Sequence, residues 1–270
     1  MTNENFVNVF SLKNKVALVT GAAKGFGRFF SQTFAEAGAD LVCVDYDPDP
    51  LKETVKILEK MGMRVLPLVV DVSSSEGVKR MLNDTVAKFG RLDIAVNNAG
   101  IVTQPSRFHE ISLEDWNRLI SIDLTGVFLC MQEELRVMVK QKSGVIINIA
   151  SVAGLLGVAP EMMPRASYVA AKHGVIGLTK QAALEYAQDN IRVNAIAPGW
   201  FSGTDLSHER REFQSSSGDA ALKQKRIEFI PLRRTGNITE LKGLLLYLAT
   251  GASSYMTGQV LVIDGGIMAH

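Results

Sequence analysis

The sequence predicts one α/β domain over residues 1–270, a doubly wound parallel sheet of seven strands with helices on both faces. Three observations carry that expectation. Apolar runs of strand length alternate with amphipathic stretches of helical spacing along the chain, the pattern of repeated strand–helix–strand units. The run Val16–Val19 leads into Thr20 to Gly27, TGAAKGFG, and then into a helical stretch that starts at Phe26. A second short run, Asp40 to Asp45, ends in a carboxylate about 20 residues beyond that turn, where an acid bonds the ribose hydroxyls of a dinucleotide.

Composition narrows the function. With 270 residues, 47% of them hydrophobic, the chain fits one large domain with a full core better than two small ones. Net charge is +1, from 29 basic and 28 acidic residues, so no nucleic-acid partner is expected. Cys43 in the second strand and Cys130 in a helix lack ligand spacing and read as small buried hydrophobes. Met1 to Leu12 has no basic region followed by an apolar core, and no apolar run is long enough to span a bilayer. The expectation is a soluble cytoplasmic protein with no membrane partner.

Each element has its own signal. Residues 1–14 read as a polar, partly ordered arm. After the first strand, glycines 21, 25 and 27 permit a sharp turn and close approach to a ligand, and the N–H groups opening the next helix attract a pyrophosphate. Phe29, Phe30, Phe34 and Ala37 keep helical spacing until Gly38. Asp47 to Pro50 reads as a loop and Leu51 to Gly62 as a helix. Arg64 to Val70 reads as a strand whose Pro67 cannot donate to a ladder, which places it at a sheet edge. Asp71-Val72 and Asn97-Asn98-Ala99-Gly100 follow strands at their carboxyl ends, the cofactor side of such a sheet. Between them lies a helix from Ser73 to Phe89, then the strand Leu92–Val96. Ser112 caps one long helix from Leu113 to about Lys140, with Asp115 reaching back to the cap. Gly144–Ala150 is the fifth strand, ending at Ser151. A helix from Ala166 to Gln188 carries small residues at 170, 171, 174, 177, 182 and 183 that allow close packing. Ile191–Ala197 is the sixth strand, broken by Pro198-Gly199. Residues 200–230 read as a substrate lid, Thr239–Thr250 as a helix and Gln259–Ile263 as the last strand.

The chemistry concentrates in Tyr168 and Lys172, four apart and therefore on one helix face. A lysine ammonium near a phenol favours the phenolate, lowering the ordinary phenol pKa of about 10 and making a proton acceptor available near neutrality. As an isolated pair these are surface neighbours. After a strand ending in Ser151 and a dinucleotide turn they read as a catalytic pair. His109, His173 and His208 share no metal-ligand spacing, so no metal is expected.

Together TGAAKGFG, Asp71-Val72, NNAG at 97–100, Ser151, YVAAK at 168–172 and Pro198-Gly199 resemble the short-chain dehydrogenase/reductase family over about residues 12–268, with its Rossmann-type sheet. The resemblance implies that Ser151 bonds the substrate oxygen, Tyr168 moves its proton and Lys172 binds the nicotinamide ribose. It implies cofactor contacts at Gly21, Lys24, Gly25, Phe26, Gly27, Asp45, Asp71, Val72, Asn98, Gly100, Pro198, Gly199, Phe201 and Thr204. Asp45 favours NAD over NADP, because it repels a 2′-phosphate, and Lys24 is the residue that speaks for NADP. A homo-oligomer, in this family commonly a tetramer, is implied, built on the two long helices.

Three departures stand out. Asp123 occupies the place of the family's catalytic asparagine, whose role is to shape a helix bend; aspartate keeps the bend, loses the amide donors and alters the local charge. The gap from Ser151 to Tyr168 is longer than usual and contains APEMMPR, which enlarges one pocket wall. Thr204 falls late after Pro198-Gly199, so either Ser202 or Thr204 meets the carboxamide. The reading is an NAD(P)-dependent oxidoreductase interconverting a secondary alcohol and a ketone, with features closest to gluconate 5-dehydrogenase-like members. A sugar acid or polyol would meet lid cations such as Arg210, Arg211 and Lys223. A hydrophobic cyclic alcohol would instead meet Leu155, Leu156, Met162, Met163 and Trp200. A non-catalytic redox sensor and a methyltransferase are the alternatives of other classes.

Overall fold

The computed structural model describes residues 8–159, 165–203, 224 and 227–269. In chain order its strands are β1 Val16–Thr20, β2 Asp40–Asp45, β3 Val65–Val69, β4 Ile94–Asn97, β5 Gly144–Ile149, β6 Ile191–Pro198, β7 Phe201–Ser202, β8 Gly236–Asn237 and β9 Val260–Ile263. Seven of them form one sheet in the order β3-β2-β1-β4-β5-β6-β9, while β7 and β8 pair with each other. Every pairing in the large sheet is parallel. Both faces of such a sheet are covered, which is why its strands read as continuous apolar runs.

The helices are α1 Gly25–Glu36, α2 Pro48–Lys60, α3 Ser75–Phe89, α4 Leu113–Ile120, α5 Val127–Gln141, α6 Ala166–Tyr186 and α7 Lys242–Ala249. Along β1 the side chains alternate between two cores. Val16 and Leu18 join Met81, Leu135 and Val175 from α3, α5 and α6. Ala17 and Val19 join Phe30, Leu58 and Leu245 from α1, α2 and α7 on the other face. Strand order reverses at β1, which has β2 on one side and β4 on the other, so a cleft opens beyond their carboxyl ends.

Most expected elements are present, with β3 and its Pro67 at the edge, and both cysteines are buried. Two boundaries need correction. The second helix begins at Pro48, not Leu51, because Asp47 caps it by accepting the Asp49 N–H and prolines in a first turn forfeit no helical bond. The long helix from Leu113 is interrupted: Ser121–Gly126 is a π-helical turn between α4 and α5. Ser112 does cap it, taking the Asp115 N–H at 3.0 Å and donating to the Asp115 carboxylate at 2.9 Å. The arm is tied down at Leu12, which is buried and donates its N–H to Ala37 O.

Candidate active site

Thr20 ends β1 and laces it to β4. Its hydroxyl accepts the N–H groups of Asn98 and Ala99 at 3.0 and 3.1 Å. The Asn98 amide donates back to Thr20 O at 2.9 Å, so this side chain braces the glycine turn while lining the groove beside it. Gly21 has φ +66, and a Cβ there would stand 2.8 Å from the Asn98 amide nitrogen. A Cβ on Gly27 would stand 1.9 Å from Gly21 O, so α1 meets the turn backbone to backbone. No side chain caps the start of α1, and its first-turn N–H groups face the turn, the geometry that takes a phosphate.

The far end of the groove holds Asp45, Tyr46 and Asp71. Asp45 is buried, and its two oxygens accept the N–H groups of Ala23 at 2.9 Å and Asp47 at 3.1 Å. A carboxylate has about four acceptor positions, so sites remain for ribose hydroxyls. Arg28 reinforces the turn from behind, donating to Ala23 O at 2.6 Å and to the Thr54 hydroxyl at 2.8 Å. The cradle that a Cβ would fill, the helix start and the acid at the ribose end together fit a dinucleotide.

The groove runs on past Phe26, Asn98, Gly100 and Ile101 into a second cavity, lined by Ser151, Tyr168, Lys172, Asp123, Pro198, Gly199 and Phe201. Ser151 follows β5 and accepts the Ala153 N–H at 3.1 Å, which leaves its hydroxyl proton to donate. The turn after it lies close to the catalytic helix, since a Cβ on Gly154 would be 2.7 Å from Lys172 O. Lys172 is buried, donates to Ile149 O at 3.2 Å and stands 5.3 Å from the centre of the Tyr168 ring.

Its third neighbour was not legible in sequence spacing. Asp123, in the π-helical turn and fully buried, places Oδ2 3.2 Å from Lys172 Nζ, an ion-pair contact, while Oδ1 accepts the Ile101 N–H at 2.7 Å. Burial works against the Lys172 charge, but the Asp123 carboxylate, with Tyr168 adding to it, outweighs this and holds the ammonium above its ordinary range. Burial pushes the Asp123 carboxyl up, and Lys172 and the Ile101 N–H pull against that. Glycines make the packing possible: a Cβ on Gly100 would be 2.8 Å from Asp123 Oδ2, and one on Gly174 2.7 Å from a Leu124 methyl.

The expected site residues therefore converge, with two qualifications. Gly27 supports the turn without lining the groove, and Thr204 lies outside the described residues. Ser202 donates to Gly236 O, a bond that ties β7 to β8. Of the lid and loop residues weighed for substrate contact, Leu156 and Trp200 line the cavity. Met162, Met163, Arg210, Arg211 and Lys223 lie outside the described residues. Sequence reasoning missed Arg165, which is buried in the cavity wall one turn before Tyr168 and donates through Nε to Thr103 O at 2.7 Å. It also missed Phe229, packed edge-to-face on Trp200 at 5.9 Å. Among the described residues no cluster suited to a metal ion occurs, and no helix is long and apolar enough to cross a membrane.

Comparison with known proteins agrees with this geometry. The family profile described as enoyl-(acyl carrier protein) reductase matches residues 21–268. The 3-oxoacyl-[acyl-carrier-protein] reductase FabG of Thermotoga maritima is 39% identical over 257 residues, covering 95% of this chain and 99% of that protein. The crystal structure of a short-chain type dehydrogenase/reductase from Mycobacterium marinum is 37% identical with a TM-score of 0.89, covering 98% of this chain and 99% of that one. A gluconate 5-dehydrogenase from Burkholderia cenocepacia, solved with NADP and tartrate, is 32% identical with a TM-score of 0.90, covering 98% of this chain and 99% of its own.

Proposed function

Since the chain belongs to the short-chain dehydrogenase/reductase family and is an NAD(P)-dependent oxidoreductase, we propose that it interconverts a secondary alcohol and a ketone on a small polar substrate of the sugar-acid or polyol type. The observation that carries this is the convergence of Ser151, Tyr168 and Lys172 on one cavity continuous with the dinucleotide groove. Family membership also displaces the non-catalytic and methyltransferase alternatives.

The bound nicotinamide supplies or accepts the hydride at the substrate carbon. Ser151 donates its hydroxyl proton in a hydrogen bond to the substrate oxygen and fixes that oxygen towards Tyr168. In ketone reduction the Tyr168 hydroxyl gives its proton to this oxygen, and in alcohol oxidation the phenolate takes it. Lys172 holds positive charge beneath the ring and bonds the nicotinamide ribose. Gly21, Gly25 and the start of α1 seat the pyrophosphate, and Pro198, Gly199 and Phe201 border the nicotinamide end. Leu156, Trp200 and Phe229 give the cavity an apolar side.

Two features support a sugar acid. Arg165 brings a guanidinium to the cavity wall, in the part of the chain that lengthens the gap before Tyr168, and a charge-assisted bond to a substrate carboxylate is worth about 1.5–3 kcal/mol. The chain is also similar in sequence and fold to a gluconate 5-dehydrogenase. The second reading, a hydrophobic cyclic alcohol or ketone, is favoured by Leu156, Trp200 and Phe229 in the same wall. Turnover of gluconate, neutral hexitols, cyclohexanol-type alcohols and a 3-oxoacyl thioester separates these. Under the sugar-acid reading gluconate is preferred, and Arg165→Met lowers kcat/KM for the acid by about tenfold or more relative to a neutral polyol. Turnover of the cyclic alcohol or the thioester alone rejects it.

NAD is the preferred cofactor in this reading, on the strength of Asp45 at the ribose end of the groove. The same reading takes the enzyme as a cytoplasmic homotetramer. An apolar groove between α5 and α6, with Phe128, Leu135 and Leu178 in it and Leu184 80% exposed nearby, supports self-association there.

A further inference from the structure

We propose that Asp123 is the counter-ion that keeps the Lys172 ammonium charged and aimed beneath Tyr168, a positioning role that the neutral amide of an asparagine at the same place does not perform. The inference rests on the reading of Lys172 as part of the active site. It starts from a departure visible in the run Ser121-Ile122-Asp123-Leu124, and the structure gives that departure a partner.

Two buried ions are costly unless each faces the other and their remaining bonding capacity is met. Here each ion faces the other, and each has one further hydrogen bond to the backbone. Asp123 Oδ2 lies 3.2 Å from Lys172 Nζ; Oδ1 takes the Ile101 N–H at 2.7 Å, and Nζ gives a hydrogen bond to Ile149 O at 3.2 Å. Asp123 therefore ties together three pieces of the site: the π-helical turn, the loop after β4 and the catalytic helix α6. Gly100 is part of the same construction, because any side chain there would stand 2.8 Å from Oδ2 and push the carboxylate off the lysine.

An amide at this position cannot reproduce the arrangement. Its single oxygen is taken by the Ile101 N–H, which turns the NH2 towards the ammonium, donor against donor. The charged and titratable groups lining this cavity among the described residues are Asp123, Arg165, Tyr168 and Lys172. Burial disfavours the Lys172 ammonium, and Asp123 is the foremost group that offsets it, with Tyr168 adding to the effect. An opposite charge at this range moves a titration by about one to three pH units.

The test reads the lysine itself, in the full-length protein without cofactor or substrate. The enzyme is produced with lysine carrying 13C at Cε, the Lys172 signal is assigned by its loss in Lys172→Arg, and its shift is followed with pH. In the wild type the signal stays that of an ammonium up to at least the ordinary lysine value of 10.5. In Asp123→Asn the transition falls by about one to three pH units, and in Asp123→Glu, which restores a carboxylate, it moves back towards the wild type. A wild-type Lys172 that titrates below 10.5 overturns the proposal without any variant having to fold. An unchanged transition in Asp123→Asn overturns it as well. Because no turnover enters the measurement, its failure is separate from failure of the proposed reaction.

Discussion

Glu134 offers the sharpest test of how this core tolerates polar groups. It lies on α5 with no exposure, and burial pushes its carboxyl up to about 8 while a hydrogen bond from Asn97 pulls it down. Oε2 accepts the Asn97 amide at 3.1 Å, and the same amide also donates to Asn148 Oδ1 at 3.0 Å. Glu134 Oε1 and Asn97 Oδ1 are both left without a partner. Protonation gives Oε1 a hydrogen to donate and removes the buried charge, so at neutral pH the neutral acid is the favoured form. The folded pKa of about 8 exceeds the ordinary 4.5. The stabilisation is therefore complete below 4.5 and is lost as pH rises through about 8. At about 1.4 kcal/mol per pH unit, that interval sets a ceiling of roughly 5 kcal/mol. Glu134→Gln keeps the shape, cannot ionise and places an NH2 where the acid proton would be. Urea unfolding of both proteins at pH 5 to 9, at one protein concentration, should show near-equal stability at pH 5. The variant should gain a few kcal/mol over the wild type by pH 9. A difference between the two that stays constant with pH would refute the reasoning.

Three further outcomes follow from the geometry. Gly27→Ala places a methyl 1.9 Å from Gly21 O, so cofactor affinity, read by fluorescence titration, should fall more than about tenfold; an unchanged affinity would mean that the turn is not the pyrophosphate seat. Asp45→Ser should raise kcat/KM with NADP relative to NAD, and a wild type that already prefers NADP would remove the role given to Asp45. Leu184→Glu, on an exposed apolar position of α6, should shift sedimentation towards the 29.4 kDa species, whereas a wild type sedimenting only at that mass would exclude the oligomer.

How much of this was legible in the sequence depended on whether the signal was local. Val16–Val19 and Asp40–Asp45 are recognisable because a strand buried on both faces must be apolar throughout, and Pro67 announces an edge by what it cannot donate. Ser151, Tyr168 and Lys172 were readable because each sits at a fixed step from a strand end or from the other. The break between α4 and α5 left no mark in the apolar pattern around Ile120, Leu124 and Val127, since a π-helical turn shifts hydrogen bonds without interrupting it, and only the family resemblance pointed to a bend at Asp123. The Asp123–Lys172 contact, which joins two elements remote in sequence, was not readable either. Glu133 and Glu134 are adjacent carboxylates with no local signal to separate them, yet α5 turns Glu133 towards Arg136 and buries Glu134 against Asn97. Arg165 was hidden in a stretch read for its length and its methionines.

The central claim is that Tyr168 moves the proton while the rest of the site binds and orients. It is tested most directly by Tyr168→Phe, which keeps the ring and removes one oxygen. The account predicts that turnover of the best alcohol substrate is abolished, while the cofactor dissociation constant, measured by fluorescence titration, stays within about twofold of wild type. Substantial turnover by Tyr168→Phe would contradict it.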